Sequence, residues 1–484
     1  MKRRIWPTLV LALVLSLFPF ASSADPDNGY LDESALLSAI SRNGGGEKAG
    51  QEQNQGEISG LTLVAHNDIG GRGFNADIWA HEGFAYIGQW GYGDPSHPAT
   101  CPSGDKSGVK VLDLTKPGIP VVATLQNPPR TSAEDVWVYT ASYGPLAGRD
   151  IAAVGIQACF RTDATIKRGL QLFDVTNPRK PKEIGFYDSG MAARGIHEFS
   201  VTQRADLGKT LAYVSVPLSE TRDLQRDGVF RVIDITDPRD PRELSTWGLV
   251  ANSAQTGVTS QFSGVGCYQQ SYVHGAEAST DGRTAFAASF DGGLILLDVA
   301  DPRAPRYLRR AQYAAGTDGD IDSHSAIETP DSRFLLVQDE DDCFSNSSNQ
   351  QPGWGHVRIF DLASRDANGN LMQVGEFKTA HSLQAKVSRG YPTAHNSYVN
   401  PAWSGRKAAV SWYSDGVRII DLSPVYAGGR SPRETAYFVP PAAKDPVHVI
   451  EYSANVWGVV VTDDGLVIIS DMNSGVWVLR ETAP

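Results

Sequence analysis

GLQLFDVTNPRKP at residues 169–181 returns as VFRVIDITDPRDP at 229–241 and as GLILLDVADPRAP at 293–305. Each copy runs apolar and β-branched for about five positions, then meets Asp, Pro and a basic residue. That pattern predicts a strand followed by a tight hairpin turn. Weaker copies stand at 108–114 (GVKVLDL), 356–362 (HVRIFDL), 416–422 (GVRIIDL) and 475–481 (GVWVLRE). The acidic anchor falls at Asp113, Asp174, Asp234, Asp298, Asp361 and Asp421, and Arg480 takes its place in the last copy. The spacing stays between 59 and 64 residues throughout.

The text between the phrases completes a repeating unit. Upstream of each phrase lie two strand-like runs, as in AEASTDGRTAFAASF at 276–290 with DGR as the turn. Downstream comes a fourth run, such as PKEIGFY at 181–187. Four short antiparallel strands, repeated seven times, predict an all-β chain folded as a seven-bladed β-propeller. The last copy leaves no room for a fourth strand, whereas ISGLTLVAH at 58–66 has no unit of its own. This N-terminal strand is expected to complete the last blade and close the ring, removing a free sheet edge.

The phrases GVKVLDLTKPGIP, GLQLFDVTNPRKP, VFRVIDITDPRDP and GLILLDVADPRAP resemble the LVIVD repeat of exported and surface proteins of bacteria and archaea. The resemblance spans residues 58–484, and copies five to seven depart from it by lacking the P-x-x-P turn. It implies a propeller and an extracytoplasmic location. It implies no activity, so function has to be argued from the site.

The ends and the composition set bounds. Met1-Lys2-Arg3-Arg4, the apolar run at 9–21 and the small residues Ser22-Ser23-Ala24 read as a secretory signal peptide over 1–24. Residues 25–57 are polar and Gly-rich and read as a flexible leader. The apolar run is too short for a membrane span and no later stretch is longer, so an integral membrane protein is not expected. The net charge of -12 argues against a nucleic-acid partner, which needs a basic surface. Cys101, Cys159, Cys267 and Cys343 form an even set in an exported chain, periplasmic or extracellular, and predict two disulfides. Cys101–Cys159 and Cys267–Cys343 are the expected pairs, each joining loops close in blade order.

The loops point to a working face. Those at 90–107, 253–271, 339–355 and 378–392 are long and varied, hold three of the cysteines and carry Trp90, Tyr92, Phe262, Tyr268, Tyr272, Trp354 and Tyr391 in or beside them. The DGR and P-x-x-P hairpins at the other end are short and uniform. Binding on a rigid scaffold usually resides in such long loops. Aligning the first strand of each unit places Asp77, Asp135, His197, His274, His324, His395 and Trp457 at one position. Four of only ten histidines therefore stand in register. Glu198, Glu277, Asp320 and Asp322 crowd the same strands, and Gln89, Gln157, Asp291, Asp339 and Glu340 end the second strands.

Imidazoles flanked by carboxylates suit one transition metal, Cu, Zn, Fe or Mn. The candidate ligands are His197, His274, His324 and His395, with Asp77, Asp135, Glu198, Glu277, Asp291, Asp339 and Glu340 binding a ligand or orienting the rings. The bland alternative is a polar ring that satisfies channel water or neighbouring backbone. DEDD at 339–342 is a candidate calcium loop, set against a merely solvated acidic loop. No Walker loop, dinucleotide fingerprint or G-x-S-x-G elbow is present. Two functions compete, and a purely structural surface protein is a third reading that the tailored loop face counts against. One is an exported binding module that takes an extracytoplasmic protein, glycan or small-molecule ligand on its long-loop face and channel mouth. The other is a metal-dependent enzyme, an oxidase or hydrolase, with a multi-His site at that mouth.

Overall fold

The computed structural model describes residues 56–482, apart from 95–96, 191–193, 218–228, 261–270, 291, 312–321, 341–354, 384–391, 401–402, 404 and 447–452. Its strands run in chain order as four-stranded antiparallel meanders, and pairing of Gln89 with Ala133 joins the first two into one eight-stranded sheet. The one beginning at Thr131–Thr140 continues through Asp150–Ala158, Gly169–Asp174 and Lys182–Asp188, and the repeated phrase supplies its third strand. The same order holds in the meander of Phe199–Arg204, Lys209–Ser215, Phe230–Asp234 and Arg242–Trp247. It holds again in that of Tyr272–Ala278, Thr284–Phe290, Gly293–Asp298 and Arg306–Arg310. Among the described residues no helix is long and apolar enough to cross a membrane.

The phrase owes its form to its turn. In all six Asp-bearing copies one carboxylate oxygen accepts the backbone N–H two residues on, at 2.8–3.0 Å. This side chain-to-backbone bond closes the turn that ends the third strand. The other oxygen pairs with a base: Arg179 on Asp113, Arg149 on Asp174, Lys209 on Asp234, Arg306 on Asp298, Arg333 on Asp361 and Arg433 on Asp421. In the last copy the charges are exchanged, and Arg480 pairs with Asp464 at 3.0 Å.

Apolar residues on the strands pack between consecutive meanders. Ile151, Leu170 and Leu172 meet Phe199, Val214 and Ile233, for example. Each such side chain removed from water contributes about 1.5–3 kcal/mol. The first and last meanders share a core in the same way: Ile78, Ile87 and Leu112 pack on Val460, Ile468 and Val476.

The N-terminal segment does more than the sequence suggests. Strand Glu57–Ser59 pairs with Arg433–Val439, and only then does Leu61–Asn67 pair with Gly475–Glu481. Gly60 makes the step between the two sheets with a φ of 66°. A Cβ there would come within 2.7 Å of the Thr435 carbonyl. The leader expected over 25–57 thus ends in a strand at Glu57, and its residues 25–55, with the signal peptide, lie outside the described residues.

Candidate metal centre in the channel

The first strands of the meanders converge, and their starts bring the histidines together. Ring centroids step from His197 to His274 (4.3 Å), to His324 (4.2 Å), to His395 (4.0 Å) and to Trp457 (4.6 Å). All four histidines are at most 3% exposed. His197 and His274 approach Nε2 to Nε2 at 2.9 Å, one nitrogen donating and the other accepting.

Carboxylates close around this row. His197 Nδ1 lies 3.0 Å from Glu134 Oε2, and Trp457 Nε1 donates to Glu134 Oε1 at 3.2 Å. His324 Nε2 lies 3.4 Å from Glu198 Oε1 and 3.4 Å from Glu340 Oε2. The Tyr413 hydroxyl donates to Glu340 Oε1 at 2.5 Å. Two sets of three ligating atoms each lie within 4.8 Å: Glu198, His324 and His395, and His274, His324 and Glu340. A third such set is all carboxylate: Asp77, Glu134 and Glu198. The residues present therefore fit a metal ion, with His324 common to both imidazole sets.

The register within the channel differs by one from the sequence alignment at two positions. The Ala76 carbonyl accepts from Ser470 of the preceding meander's second strand, as the Trp457 carbonyl does from Ser411. Ala76, not Asp77, is therefore level with the histidines. The contacts of Glu134 with His197 and Trp457 place it, rather than Asp135, at the same level. Ala76 stands between with no side-chain bulk, so Glu134 reaches across to Trp457. Asp77 and Asp135 fall one layer below, beside Glu198 and Asn396. Asn396 donates to Asp77 at 2.7 Å, and Phe199 N donates to Asp135 at 3.0 Å.

Burial moves the imidazoles and the carboxyls in opposite directions. Burial pushes all four histidines well below the usual imidazole range, His197 to about 3 with help from the Arg194 charge. They are neutral at physiological pH, the form that ligates metal. Burial also pushes Asp77, Glu134, Asp135, Glu198 and Glu277 up, and for Asp77, Asp135 and Glu198 their neighbours' charges push further. A group of buried carboxylates is stable only when protonated or offset by cations.

A cavity of about 320 Å³ reaches the lower layer. Asp77, Asp135, Glu198 and Glu277 line it, with Trp79, Trp137 and Tyr398 further along the strands. It also touches Ser279 and Thr280 beside the DGR hairpin, so it follows the half of the strands away from the long loops.

The remaining expectations divide. Asp339 is taken up by a buried pair with Arg358 at 2.5 Å, while its neighbour Glu340 faces His324. The two therefore serve different partners, and Asp341 and Asp342 of the candidate calcium loop lie outside the described residues, as do Asp291 and Asp320. Cys101 and Cys159 form a disulfide, with Cα atoms 5.8 Å apart, whereas Cys267 and Cys343 lie outside the described residues. Trp90 packs on Phe74 and Trp457, Tyr272 on Phe290, and Trp412 on Phe377, so these aromatics build the scaffold. Phe262, Tyr268, Trp354 and Tyr391 lie outside the described residues. Glu134 is the site residue that sequence reading missed. The signal was present as a carboxylate immediately before Asp135, hidden by aligning the wrong one of the two.

This channel and its meanders define a propeller-like protein. The LVIVD repeat family model matches residues 72–99, the first two strands of the first meander, so the chain carries the LVIVD repeat. No curated protein matches the sequence. Among solved structures the chain is similar to Raptor from Chaetomium thermophilum, with a TM-score of 0.51 at 10% identity over 90% of this chain. It spans only 30% of Raptor's length. A provisionally assigned 6-phosphogluconolactonase from Bacteroides fragilis gives a TM-score of 0.50 at 12% identity, covering 81% of this chain and 89% of that one. Likeness at such identities speaks for the fold alone.

Proposed function

We propose that this chain is an exported, seven-bladed propeller, closed by its N-terminal strand over residues 58–484, that holds a transition-metal centre in its channel. The shared core between first and last meanders and the pairing of Leu61–Asn67 with Gly475–Glu481 support the closed ring. The Cys101–Cys159 disulfide supports an oxidising compartment.

The observation that carries the metal reading is the pair of buried ligand sets sharing His324. His274, His324 and His395 would hold the ion, with Glu198 and Glu340 supplying oxygen. His197, tied to His274 and Glu134, would orient the row. A mixed imidazole and carboxylate set suits Zn, Fe, Mn or Cu. A bound ion would supply a Lewis acid or a redox centre. Tyr413 holds Glu340 in place, and the cavity gives a small molecule a route to the carboxylate layer. Among the described residues the ligating side chains are buried in the channel, which supports a metal-dependent enzyme.

Elemental analysis of the exported protein, purified without a His tag or chelator, tests the reading. About one equivalent of metal, lost in His324→Ala with the fold intact by circular dichroism, is expected. A metal-free protein that takes up no Zn, Cu, Mn or Fe on reconstitution would overturn it.

A further inference from the structure

The cavity below the histidines has a chemistry of its own. Its inner end carries four carboxylates: Asp77, Asp135, Glu198 and Glu277. None of its lining residues is Lys, Arg or His. Asp77 Oδ2 is buried with no hydrogen-bond partner, on a side chain that is 93% buried and lines the cavity. Buried anionic oxygens of this kind call for a cation or a proton.

The walls decide which cation. Trp79 and Trp137 stack at 4.1 Å, and the Tyr398 ring meets Trp79 edge-on at 6.3 Å. All three are only partly buried and line the same cavity. A hydrated metal ion gains little from such walls. An organic ammonium gains attraction from the aromatic faces and burial of its apolar part. About 320 Å³ also exceeds the room one metal ion needs, and lies at the lower end of the range for small-molecule sites.

We infer that the channel binds a small organic cation, an alkylammonium, with its charged head on the carboxylates and its carbon chain between Trp79, Trp137 and Tyr398. This deepens the metal-centre reading, because the ligand's head would sit one layer below the histidines. It does not require the metal.

Titration calorimetry on chelator-treated and metal-loaded full-length mature protein tests it, with butylammonium, 1-butanol and butyrate as probes. Butylammonium is expected to bind at least about tenfold more tightly than 1-butanol, and butyrate not at all. Glu277→Gln, outside every metal-ligating set, is expected to weaken butylammonium about tenfold and leave the metal content unchanged. Trp137→Phe, which keeps a ring in the wall, is expected to weaken it by a smaller factor. Equal binding of butylammonium and 1-butanol would overturn the inference. So would calcium chloride binding to the chelated protein and expelling butylammonium, since the carboxylates would then be a metal site. Selectivity for the ammonium in the chelator-treated protein supports the inference even if no metal is ever found.

Discussion

The turn of the repeated phrase can be dissected at Asp234. Its Oδ1 accepts Thr236 N at 3.0 Å and the Thr236 hydroxyl at 2.5 Å, and its Oδ2 pairs with Lys209. Asp234→Ala removes both local bonds and the ion pair. At about 1 kcal/mol per bond and about 0.5 kcal/mol for a half-exposed pair, the loss is about 2–3 kcal/mol. Asp234→Asn keeps a neutral acceptor for Thr236 and gives up the pair, so about 1 kcal/mol is expected. Burial raises the Asp234 carboxyl, but the bonds from Lys209 and Thr236 outweigh it and hold the group below the ordinary carboxylate range. Its stabilisation is therefore present above a pH of about 4 and lost as pH falls through the folded value. Urea unfolding followed by tryptophan fluorescence measures all three proteins. The gap between wild type and Asp234→Asn should narrow as pH falls from 7 below the ordinary carboxylate range. Equal losses for Ala and Asn, or a gap that does not narrow at all on acidification, would refute the reading of this aspartate as chiefly a turn-closing acceptor.

Other outcomes follow from the same geometry. Cys101→Ser with Cys159→Ser opens a loop spanning a sequence separation of 58 residues and should cost about 4 kcal/mol on the chain-entropy estimate, read from unfolding with and without reductant. Asp339→Ala strands the buried Arg358 guanidinium and should cost about 3–5 kcal/mol in unfolding while leaving metal content in the folded fraction untouched. Glu340→Gln, by contrast, alters a carboxylate facing His324 and should weaken the metal about 10–100-fold in a chelator competition, with a smaller effect on stability. Gly275→Ala should fail to accumulate as folded protein, because the new Cβ would stand 2.4 Å from the His324 carbonyl.

The strands were legible because every unit repeats a β-branched run, six of the seven add an aspartate that caps its own turn, and the first four add the prolines that prevent continuation. The His row was legible because it uses the same register four times running. What escaped was anything that depends on a bulge. The bulge holds one residue between Val273 and Gly275 and between Ser323 and Ser325, but two between Ala133 and Val136, between Asn75 and Ile78 and between Val456 and Val459, where the first of the two is level with the histidines. A one-residue insertion in a strand exchanges the faces of its side chains. Aligning Asp77 and Asp135 with the histidines therefore assigned to the upper layer two carboxylates that belong to the lower one, and left Glu134 out. The strand split at Gly60 escaped for a related reason. Ile58 and Leu61 lie three residues apart, but the left-handed glycine between them sends each to a different sheet. The two-layer arrangement is the consequence that matters most for function. A single ring of mixed His and Asp would read as one diffuse polar belt. Separated layers place neutral imidazoles against Glu340 and Glu198 above, and the partnerless Asp77 Oδ2 over an aromatic-walled cavity below. Glu198, with Oε1 toward His324 and a wall position in the cavity, is the residue through which occupancy of one layer would be felt by the other. Glu198→Gln should accordingly weaken both metal and butylammonium, whereas Glu340→Gln should weaken the metal alone. Parallel titrations of the two variants that gave the same pattern for both would show that the layers do not share this residue.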